Sequence, residues 1–209
     1  MHLKRSKADK KWPIPRKGTK FVVANIGNPE RSIPLLVALR DMLKIGQNRK
    51  EVESILNKGE IVVNGKIRRD EKFSMQIYDI LKIKSSGKIF MLAINKHQRF
   101  DLVEVKKDEK ISKIIGKKKL KGNKTQISLI GGENFIVKEN LKIGDSAVIN
   151  FAKKSIDKVI PLKQGSEVGI ICGSYIGQTG KITEIKDKVA EVSIKDKKLN
   201  IELKNLIAI

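Results

Sequence analysis

The sequence predicts an α+β fold in four successive parts: a basic N-terminal arm (residues 1–29), a small helix–helix–hairpin unit (30–95), a central mainly-β domain (96–160) and a small C-terminal β-barrel (161–209). Three observations predict it. Residues 1–20 hold eight Lys and Arg against one Asp and have no periodic apolar pattern. Between residues 32 and 59, apolar residues recur at helical spacing. After residue 60 they alternate with polar residues or form short Val- and Ile-rich runs, which is typical of β-strands.

The first 20 residues are predicted to be disordered until a polyanion orders them, because charge dominates them and they offer no apolar face to pack. Pro13 and Pro15 support this prediction, since proline breaks helices and favours extended chain. Trp12 is the only tryptophan of the chain. The sequence leaves two roles open for it, stacking on a base or packing on the neighbouring domain.

The first helix is predicted around Leu36, Leu39 and Leu43, which fall at helical spacing. Pro34 suits the first turn of this helix and Gly46 lies just past its end, where these two residue types are favoured.

The second helix is predicted to begin after Asn48. Asn48 and Glu51 have the spacing of a capping box, with Asn in place of the usual Ser or Thr. Gly59 suits the left-handed position that ends many helices. Two short apolar runs then flank Asn64-Gly65, the pair that most strongly favours a tight β-hairpin.

The rest of the chain is predicted to be short strands. Strands are expected at residues 80–83, 89–94 and 100–105, and further short strands follow up to residue 160. A lysine-rich loop covers residues 117–124, and the sequence assigns no mechanism to this middle region. From Gly165 to Gly180, glycines alternate with Val and Ile, which indicates strands joined by tight turns. With strands at 189–194 and 199–203, this segment is expected to close a small barrel.

The charge balance points to a polyanionic partner. Lys and Arg number 45 against 23 Asp and Glu, a formal net charge of +22. A charge of this size repels itself unless nucleic acid or an acidic membrane neutralises it. Neither predicted helix opposes a basic face with bulky apolar residues, which argues against binding to a membrane surface. Aromatic residues make up 4% of the chain, too few for base stacking to be the main binding mode.

The sequence offers no constellation for catalysis or metal binding. Cys172 is the one cysteine, and His2 and His97 are the two histidines. A structural zinc site needs four such ligands, and these are three. Cys172 sits in an apolar run and is interpreted as a buried structural thiol. We therefore expect no cofactor, no metal and no enzymatic activity.

A nucleotide-binding P-loop is also excluded, although Gly180-Lys181 resembles the end of one. That motif needs Gly at position 175 and Ser or Thr at position 182, where this chain has Tyr175 and Ile182. The chain start lacks the apolar stretch of a signal peptide, and no apolar run approaches the ~18 residues of a membrane span. We therefore expect a cytoplasmic protein without a membrane partner.

Three motifs, in their order, resemble a known family. The unit ending in Ile-Val-Val-Asn-Gly-Lys (residues 61–66) resembles the alpha-L RNA-binding motif. The glycine series from Gly165 to Gly180 resembles a KOW motif. With the opening His-Leu-Lys-Arg (residues 2–5), followed by Trp12-Pro13, they resemble the archaeal and eukaryotic S-four-e family of small-subunit ribosomal proteins.

This resemblance implies a non-catalytic structural protein of the ribosome, one copy per ribosome rather than a homo-oligomer. Its implied partners are the ribosomal RNA of the small subunit and neighbouring ribosomal proteins. The residues expected to bind RNA lie in the arm, in the alpha-L unit and in the KOW unit: Lys4, Arg5, Arg16, Lys17, Arg40, Arg49, Lys50, Lys66, Arg68, Arg69, Gly173, Gly177 and Lys181. Gly173 and Gly177 have an equally good interpretation as simple turn residues.

Two alternatives use the same modules. One is an RNA-modifying enzyme that docks through the alpha-L unit, which would need a separate catalytic domain, commonly above 150 residues. The chain has about 110 residues after that unit, and they contain no paired-carboxylate or metal pattern. The other alternative is a transcription or translation factor with a KOW unit.

Overall fold

The fold is described by a computed structural model that covers residues 3–95, 97–122, 124–138, 141–194 and 197–209. The chain forms two compact units, residues 1–108 and 109–209. Both are mainly β, and the helices lie in the first.

The first unit contains, in chain order, β1 (Leu3–Lys4), a 3₁₀ turn (Arg5–Lys7), β2 (Phe21–Val22), β3 (Ser32–Pro34), α1 (Leu35–Val37), a π-helical turn (Ala38–Met42), α2 (Arg49–Asn57), β4 (Ile61–Val63), β5 (Lys66–Ile67), β6 (Ser74–Gln76), β7 (Ile80–Ile83), β8 (Ile89–Ile94) and β9 (Phe100–Val105). Five strands form an antiparallel sheet in the order β5-β4-β7-β8-β9. The pairs β1-β2 and β3-β6 stand outside it. The domain boundary predicted between residues 95 and 96 lies inside the β8–β9 hairpin, because β9 pairs with β8 along its whole length.

The two predicted helices are present. The first combines α1 with the π-helical turn. Gly46 follows this helix at a crowded position, where the Cβ atom of any other residue would lie 2.9 Å from a methyl carbon of Val52. The Asn48 side chain caps α2 by accepting a hydrogen bond from the Glu51 backbone N–H at 3.0 Å, as predicted. Glu51 returns a bond to the N–H of Gln47 at 2.7 Å, one residue earlier than in the usual capping box. After α2, Gly59 has a φ of +73°.

The predicted tight turn joins β4 to β5 and has a further role. Asn64 and Gly65 both have positive φ, 52° and 71°, as a type I′ turn requires. Asn64 is buried; its amide donates to the Asp79 carboxylate at 3.0 Å, and its carbonyl oxygen accepts from the Ile80 N–H at 3.0 Å. The turn residue therefore also holds the hairpin to β7.

Trp12 packs in the core of the first unit and is 2% exposed. Its indole N–H donates to the carbonyl of Ser32 at 3.1 Å, and the neighbouring carbonyl of Lys11 accepts from the N–H of Phe100 at 2.9 Å. Of the two roles that the sequence left open for Trp12, the structure shows packing on the neighbouring domain. These contacts count against the prediction that residues 1–20 are disordered without RNA, because a buried tryptophan ties the arm to the unit.

The second unit contains β10 (Glu109–Leu120), β11 (Lys124–Leu129), β12 (Asn134–Val137), β13 (Ser146–Asn150), β14 (Ser155–Ile160), β15 (Glu167–Ile170), β16 (Thr179–Lys186), β17 (Val189–Ile194), β18 (Lys197–Glu202), a 3₁₀ turn (Leu203–Asn205) and β19 (Leu206–Ala208). These strands form two five-stranded antiparallel sheets, β12-β11-β10-β13-β14 and β18-β17-β16-β15-β19. Each sheet has its own apolar cluster. The strands predicted after residue 160 are confirmed, and their closure into a barrel stays a prediction.

A buried lysine links the two sheets of the second unit. Lys113 of β10 is 5% exposed, and its ammonium group donates to the backbone carbonyls of Leu203 and Leu206, the latter at 2.9 Å. The Ser146 hydroxyl accepts from the N–H of Ala208 at 2.8 Å beside it. Desolvation lowers the pKa of Lys113 to about 8 from its usual 10.5, because burial penalises the charged form.

Trp12→Ala should lower the free energy of unfolding by about 3–5 kcal/mol, the usual cost of deleting a buried large aromatic side chain. Urea unfolding followed by circular dichroism measures it, with Trp12→Phe as the control that keeps most of the apolar volume. Hydrogen exchange gives a second test, because the N–H of Trp12 donates to Asp9 and should be protected. If that amide exchanged as fast as in an unfolded peptide, and Trp12→Ala left the free energy of unfolding unchanged, the packing of the arm on the unit would be contradicted.

Lys113→Met should remove a pH dependence of stability. Between about pH 8 and 10.5 the unfolded chain still binds the Lys113 proton while the folded unit has released it. The free energy of unfolding of the wild type therefore gains a contribution that rises with pH across this window. The measurement is urea unfolding of the full chain at pH 8 and pH 10, with Lys119→Met at an exposed position of the same strand as the control. Equal pH responses of the two variants would refute the assignment.

Candidate nucleic-acid interface

Two arginines of the helical unit, Arg40 and Arg49, are held by carboxylates. Arg40 makes two hydrogen bonds to Asp41, at 2.8 and 3.0 Å, and these bonds raise the pKa of Arg40 above its usual value. Arg49 binds both carboxylate oxygens of Glu71, at 2.5 and 2.8 Å, and one oxygen of Glu53 at 3.1 Å. The bond to Glu71 is the largest cause of the raised pKa of Arg49. Both guanidinium groups thus have partners within the protein.

Glu71 lies at the junction of the two helices. It is 7% exposed, and its backbone carbonyl accepts from the N–H of Leu36 at 3.0 Å. Its side chain binds Arg49 at the start of α2, and its charge also raises the pKa of Arg40. Glu71 was missed in the sequence, although an acidic residue within the basic stretch 66–72 was a usable signal.

Arg68 packs on an aromatic ring. Its guanidinium carbon lies 4.1 Å from the centre of the Phe73 ring, a cation–π distance. Its Nε atom is buried and has no hydrogen-bond partner among the described residues. Like Arg40 and Arg49, Arg68 is used by the fold.

Three other predicted residues of this unit face solvent. Lys50 lies in the first turn of α2, and Lys66 and Arg69 lie in or just after the β4–β5 hairpin. All three are exposed, and within the described ranges no carboxylate comes within ion-pairing distance of them. The backbone positions of these residues are fixed, because Lys50 lies at the start of a helix and the other two follow a turn that Asp79 holds by a hydrogen bond.

Arg5 organises the arm. Its guanidinium donates to the carbonyl oxygens of Pro15 and Thr19, both at 2.7 Å, and to the Thr19 hydroxyl at 3.0 Å. A Cβ atom at Gly18, whose φ is +143°, would lie 2.9 Å from this guanidinium. Arg5 therefore folds the chain into a loop. Three predicted residues of the arm are exposed: Lys4, Arg16 and Lys17.

The glycines of the predicted KOW segment serve backbone geometry. Gly173 and Gly177 have φ of 97° and 81°, values that favour glycine, in the connection between β15 and β16. A Cβ atom at Gly180 would lie 2.6 Å from the carbonyl oxygen of Ser193 on the paired strand β17. Lys181 is 69% exposed and lies 3.8 Å from Glu167, a surface pair of little strength. Lys181 is thus available to a partner, while Gly173 and Gly177 have the geometry of turn residues.

Metal binding, membrane spanning and the burial of the cysteine can be judged for the described residues. Among them, no cluster of three or more His, Cys, Asp or Glu side chains is arranged to hold a metal ion. None of the helices in the described part of the chain is long and apolar enough to span a membrane. Cys172, interpreted from the sequence as buried, is half-buried.

Comparison with known proteins identifies the family. A family model described as "Ribosomal family S4e" matches residues 86–156. The chain is 35% identical to the protein of Methanocella arvoryzae named "Small ribosomal subunit protein eS4" over 189 residues, which cover 88% of this chain and 81% of that protein. The protein of the same name from Methanosphaera stadtmanae is 36% identical over 191 residues, covering 88% and 79%. The chain belongs to ribosomal family S4e.

The S4e fold is also found in a solved structure. The crystal structure of the 30S ribosomal protein S4e from Thermoplasma acidophilum superimposes with a TM-score of 0.70 at 26% identity, covering 86% of this chain and 95% of that one. The family expected from the motif order is therefore confirmed. The family-model match spans β8 to the start of β14, outside the predicted alpha-L and KOW motifs, so these two assignments stay predictions.

In this S4e chain, Lys50 and Arg49 are neighbours with different environments, and they should respond differently to substitution. Lys50→Gln should lower the slope of log affinity against log salt for ribosomal RNA by about 1, the effect of losing one phosphate contact. Arg49→Gln removes the same charge, but it should chiefly lower the free energy of unfolding, by about 1 kcal/mol, because it breaks bonds to Glu71. Filter-binding titrations and urea unfolding measure the two effects. If Arg49→Gln lowered the slope as much as Lys50→Gln, Arg49 would itself be a contact residue.

Proposed function

We propose that this S4e chain is a structural constituent of the small ribosomal subunit that binds ribosomal RNA through basic surfaces and catalyses no reaction. One observation carries the proposal: relatives named small ribosomal subunit protein eS4 align with 88% of this chain and with about four fifths of their own length. The chain thus contains most of what those proteins contain.

The charge of the chain supports an RNA partner. A net charge of +22 on 209 residues needs a polyanion for close association, and the phosphate backbone of RNA is one. Neutralisation by phosphate also explains why many exposed lysines have no acidic neighbour. The proposal further includes one copy per ribosome, neighbouring ribosomal proteins as partners and a cytoplasmic location.

The cations are proposed to divide into contact residues and positioning residues. The proposed phosphate contacts are the exposed side chains of the predicted set apart from Arg49, which is exposed but bound to Glu71: Lys4, Arg16, Lys17, Lys50, Lys66, Arg69 and Lys181. Arg5, Arg40, Arg49 and Arg68 are proposed to shape the surface, since their guanidinium groups already bind or stack on protein groups. Gly173 and Gly177 are proposed to set the path of the loop between β15 and β16.

Selectivity for ribosomal RNA is proposed to lie in the alpha-L unit. Structured RNA is recognised mainly by shape, through phosphate and 2′-hydroxyl positions. Reading a shape requires charges at fixed spacings. Lys50 stands on a capped helix, and Lys66 follows a turn held by buried hydrogen bonds, so their backbone positions are well defined. Arg16 and Lys17 lie in a loop outside any helix or strand and are proposed to add affinity without much selectivity.

The test is incorporation into small ribosomal subunits. Purified chain is added to small subunits assembled from the ribosomal RNA and total ribosomal proteins of Methanocella arvoryzae, depleted of that organism's own eS4 protein, and the subunits are sedimented at moderate salt. We expect about one chain per small subunit, retained through a salt wash, and none on large subunits. The variant Lys50→Gln with Lys66→Gln should be retained less well than its matched control Arg16→Gln with Lys17→Gln, which loses the same number of charges. A chain that stays in the unbound fraction, or that binds both subunits equally, would refute the proposal.

A further inference from the structure

The outer part of the β10–β11 hairpin carries a concentration of lysines that the preceding proposals do not use. Residues 110–132 contain seven lysines and no Asp or Glu. β10 is the longest described strand; its inner half pairs with β13 and its outer half with β11. The hairpin end is therefore an extension of the sheet formed by β10 and β11, with β12 alongside.

Three of these lysines are engaged by the protein. Lys110 forms an ion pair with Glu133 at 3.0 Å. Lys113 binds the two backbone carbonyls near the end of the chain, and Lys117 donates to the carbonyl of Leu141 at 3.1 Å. These contacts engage both lysines of the inner half of β10, and Lys117 of its outer half.

The other four lysines are exposed: Lys118, Lys119, Lys121 and Lys124. Within the described residues, none of them has a carboxylate at ion-pairing distance, although such pairs form elsewhere in this unit, as between Lys198 and Glu191. The repulsion among these four neighbouring cations is not offset within the hairpin end, because residues 110–132 contain no Asp or Glu. A polyanion placed against them would relieve it.

The register places two of these lysines on one face with polar side chains. Lys118 pairs with Gln126, and Gly116 pairs with Ser128. Lys124 lies two residues from Gln126 along the same strand, so Lys118, Lys124, Gln126 and Ser128 share a face. The other face of the hairpin carries Ile127, which is buried.

This outer face suits a backbone rather than a buried ligand. Gly116 has no side chain, and its pairing partner Ser128 has a short hydroxyl, so the centre of the face is low. Asn134 of β12 pairs with Ser128 and adds an exposed amide, and Ile136 of the same strand, which pairs with Gln126, adds an exposed apolar side chain at the edge of the face. Hydroxyl and amide groups flanked by lysines match the chemistry of a sugar–phosphate backbone. The lysines can bind its phosphates, and the hydroxyl and amide groups can form hydrogen bonds with its 2′-hydroxyls.

We propose that the outer face of the β10–β11 hairpin is a second RNA-binding surface of this chain, which contacts the sugar–phosphate backbone of structured RNA through Lys118 and Lys124. This inference rests on the proposed function, because it takes ribosomal RNA as the polyanion. Lys119 and Lys121 add to the local potential at the hairpin end. The surface lies in the second unit, in the segment that the S4e family model matches.

The first experiment compares two double variants of the full chain that lose equal charge. Lys118→Gln with Lys124→Gln alters the hairpin face, and Lys163→Gln with Lys188→Gln alters two exposed lysines elsewhere in the same unit. Binding to small-subunit ribosomal RNA is titrated over a range of salt concentrations. We expect the hairpin variant to lower the slope of log affinity against log salt by about 2, one for each lost phosphate contact, and the control to leave it unchanged. Equal slopes for the two variants would overturn the inference.

The second experiment locates the RNA directly. Because Cys172 is the only cysteine, Cys172→Ala with Lys118→Cys gives one attachment point for an iron chelate that produces hydroxyl radicals. We expect cleavage of the bound ribosomal RNA at a confined stretch of backbone, and no cleavage at that stretch from Lys188→Cys in the same background. Labelling of a neighbouring protein without cleavage of RNA would overturn the inference in favour of a protein partner.

The two proposals fail in different ways. If the wild-type chain bound ribosomal RNA no better than random RNA, the proposed function would fail, and the inference would fail with it. If the wild type bound ribosomal RNA selectively while the hairpin variant matched its control, only the inference would fail. Urea unfolding of each variant checks that an affinity change does not come from lost structure.

Discussion

The shortage of acidic side chains decides which contacts this protein can make. Asp and Glu number 23 against 45 Lys and Arg, so few cations can find a carboxylate. The buried carboxylates stand where elements meet: Glu71 joins the two helices and Asp79 holds the β4–β5 turn. A buried polar group without a partner costs about 1–3 kcal/mol, so each such position needs a matched donor.

The same shortage divides the cations into two classes. Cations near an acid or near several carbonyl groups form hydrogen bonds within the protein, as Arg49 does with Glu71 and Arg5 does with Thr19. Cations without such neighbours are exposed to solvent, as Lys50 and Lys66 are. Arg is favoured in the first class because its planar fork can bind two oxygens at once, whereas Lys acts as a flexible point charge. The exposed class is the one that we propose to bind phosphate.

Lys113 shows how a cation can be buried without a carboxylate. Two backbone carbonyls accept hydrogen bonds from its ammonium group, and one of them belongs to the strand at the edge of the second sheet of the unit. The lowered pKa of Lys113 reflects what this burial costs the charged form. This contact and the Ser146–Ala208 hydrogen bond join two sheets that have separate apolar clusters. The second unit is therefore held partly by polar contacts, which leaves its outer hairpin lysines outside the packed interior.

The sequence by itself determined the features that depend on local chemistry. The capping pair Asn48 and Glu51, the turn at Asn64-Gly65 and the strands of the C-terminal segment follow from residue types at short spacings, and the structure has them. The order of the motifs also determined the family, and the excess charge determined the class of partner that we propose.

Only the tertiary structure decided how the individual side chains are used. Trp12 is buried because a sheet residue far along the chain, Phe100, meets the arm beside it, and no local pattern encodes that meeting. Arg49 and Lys50 are adjacent cations in the sequence, yet Glu71, which is 22 residues from Arg49, engages only Arg49. The number of charges is evident from composition, but whether a charge has a partner within the protein depends on which distant acid the fold brings to it.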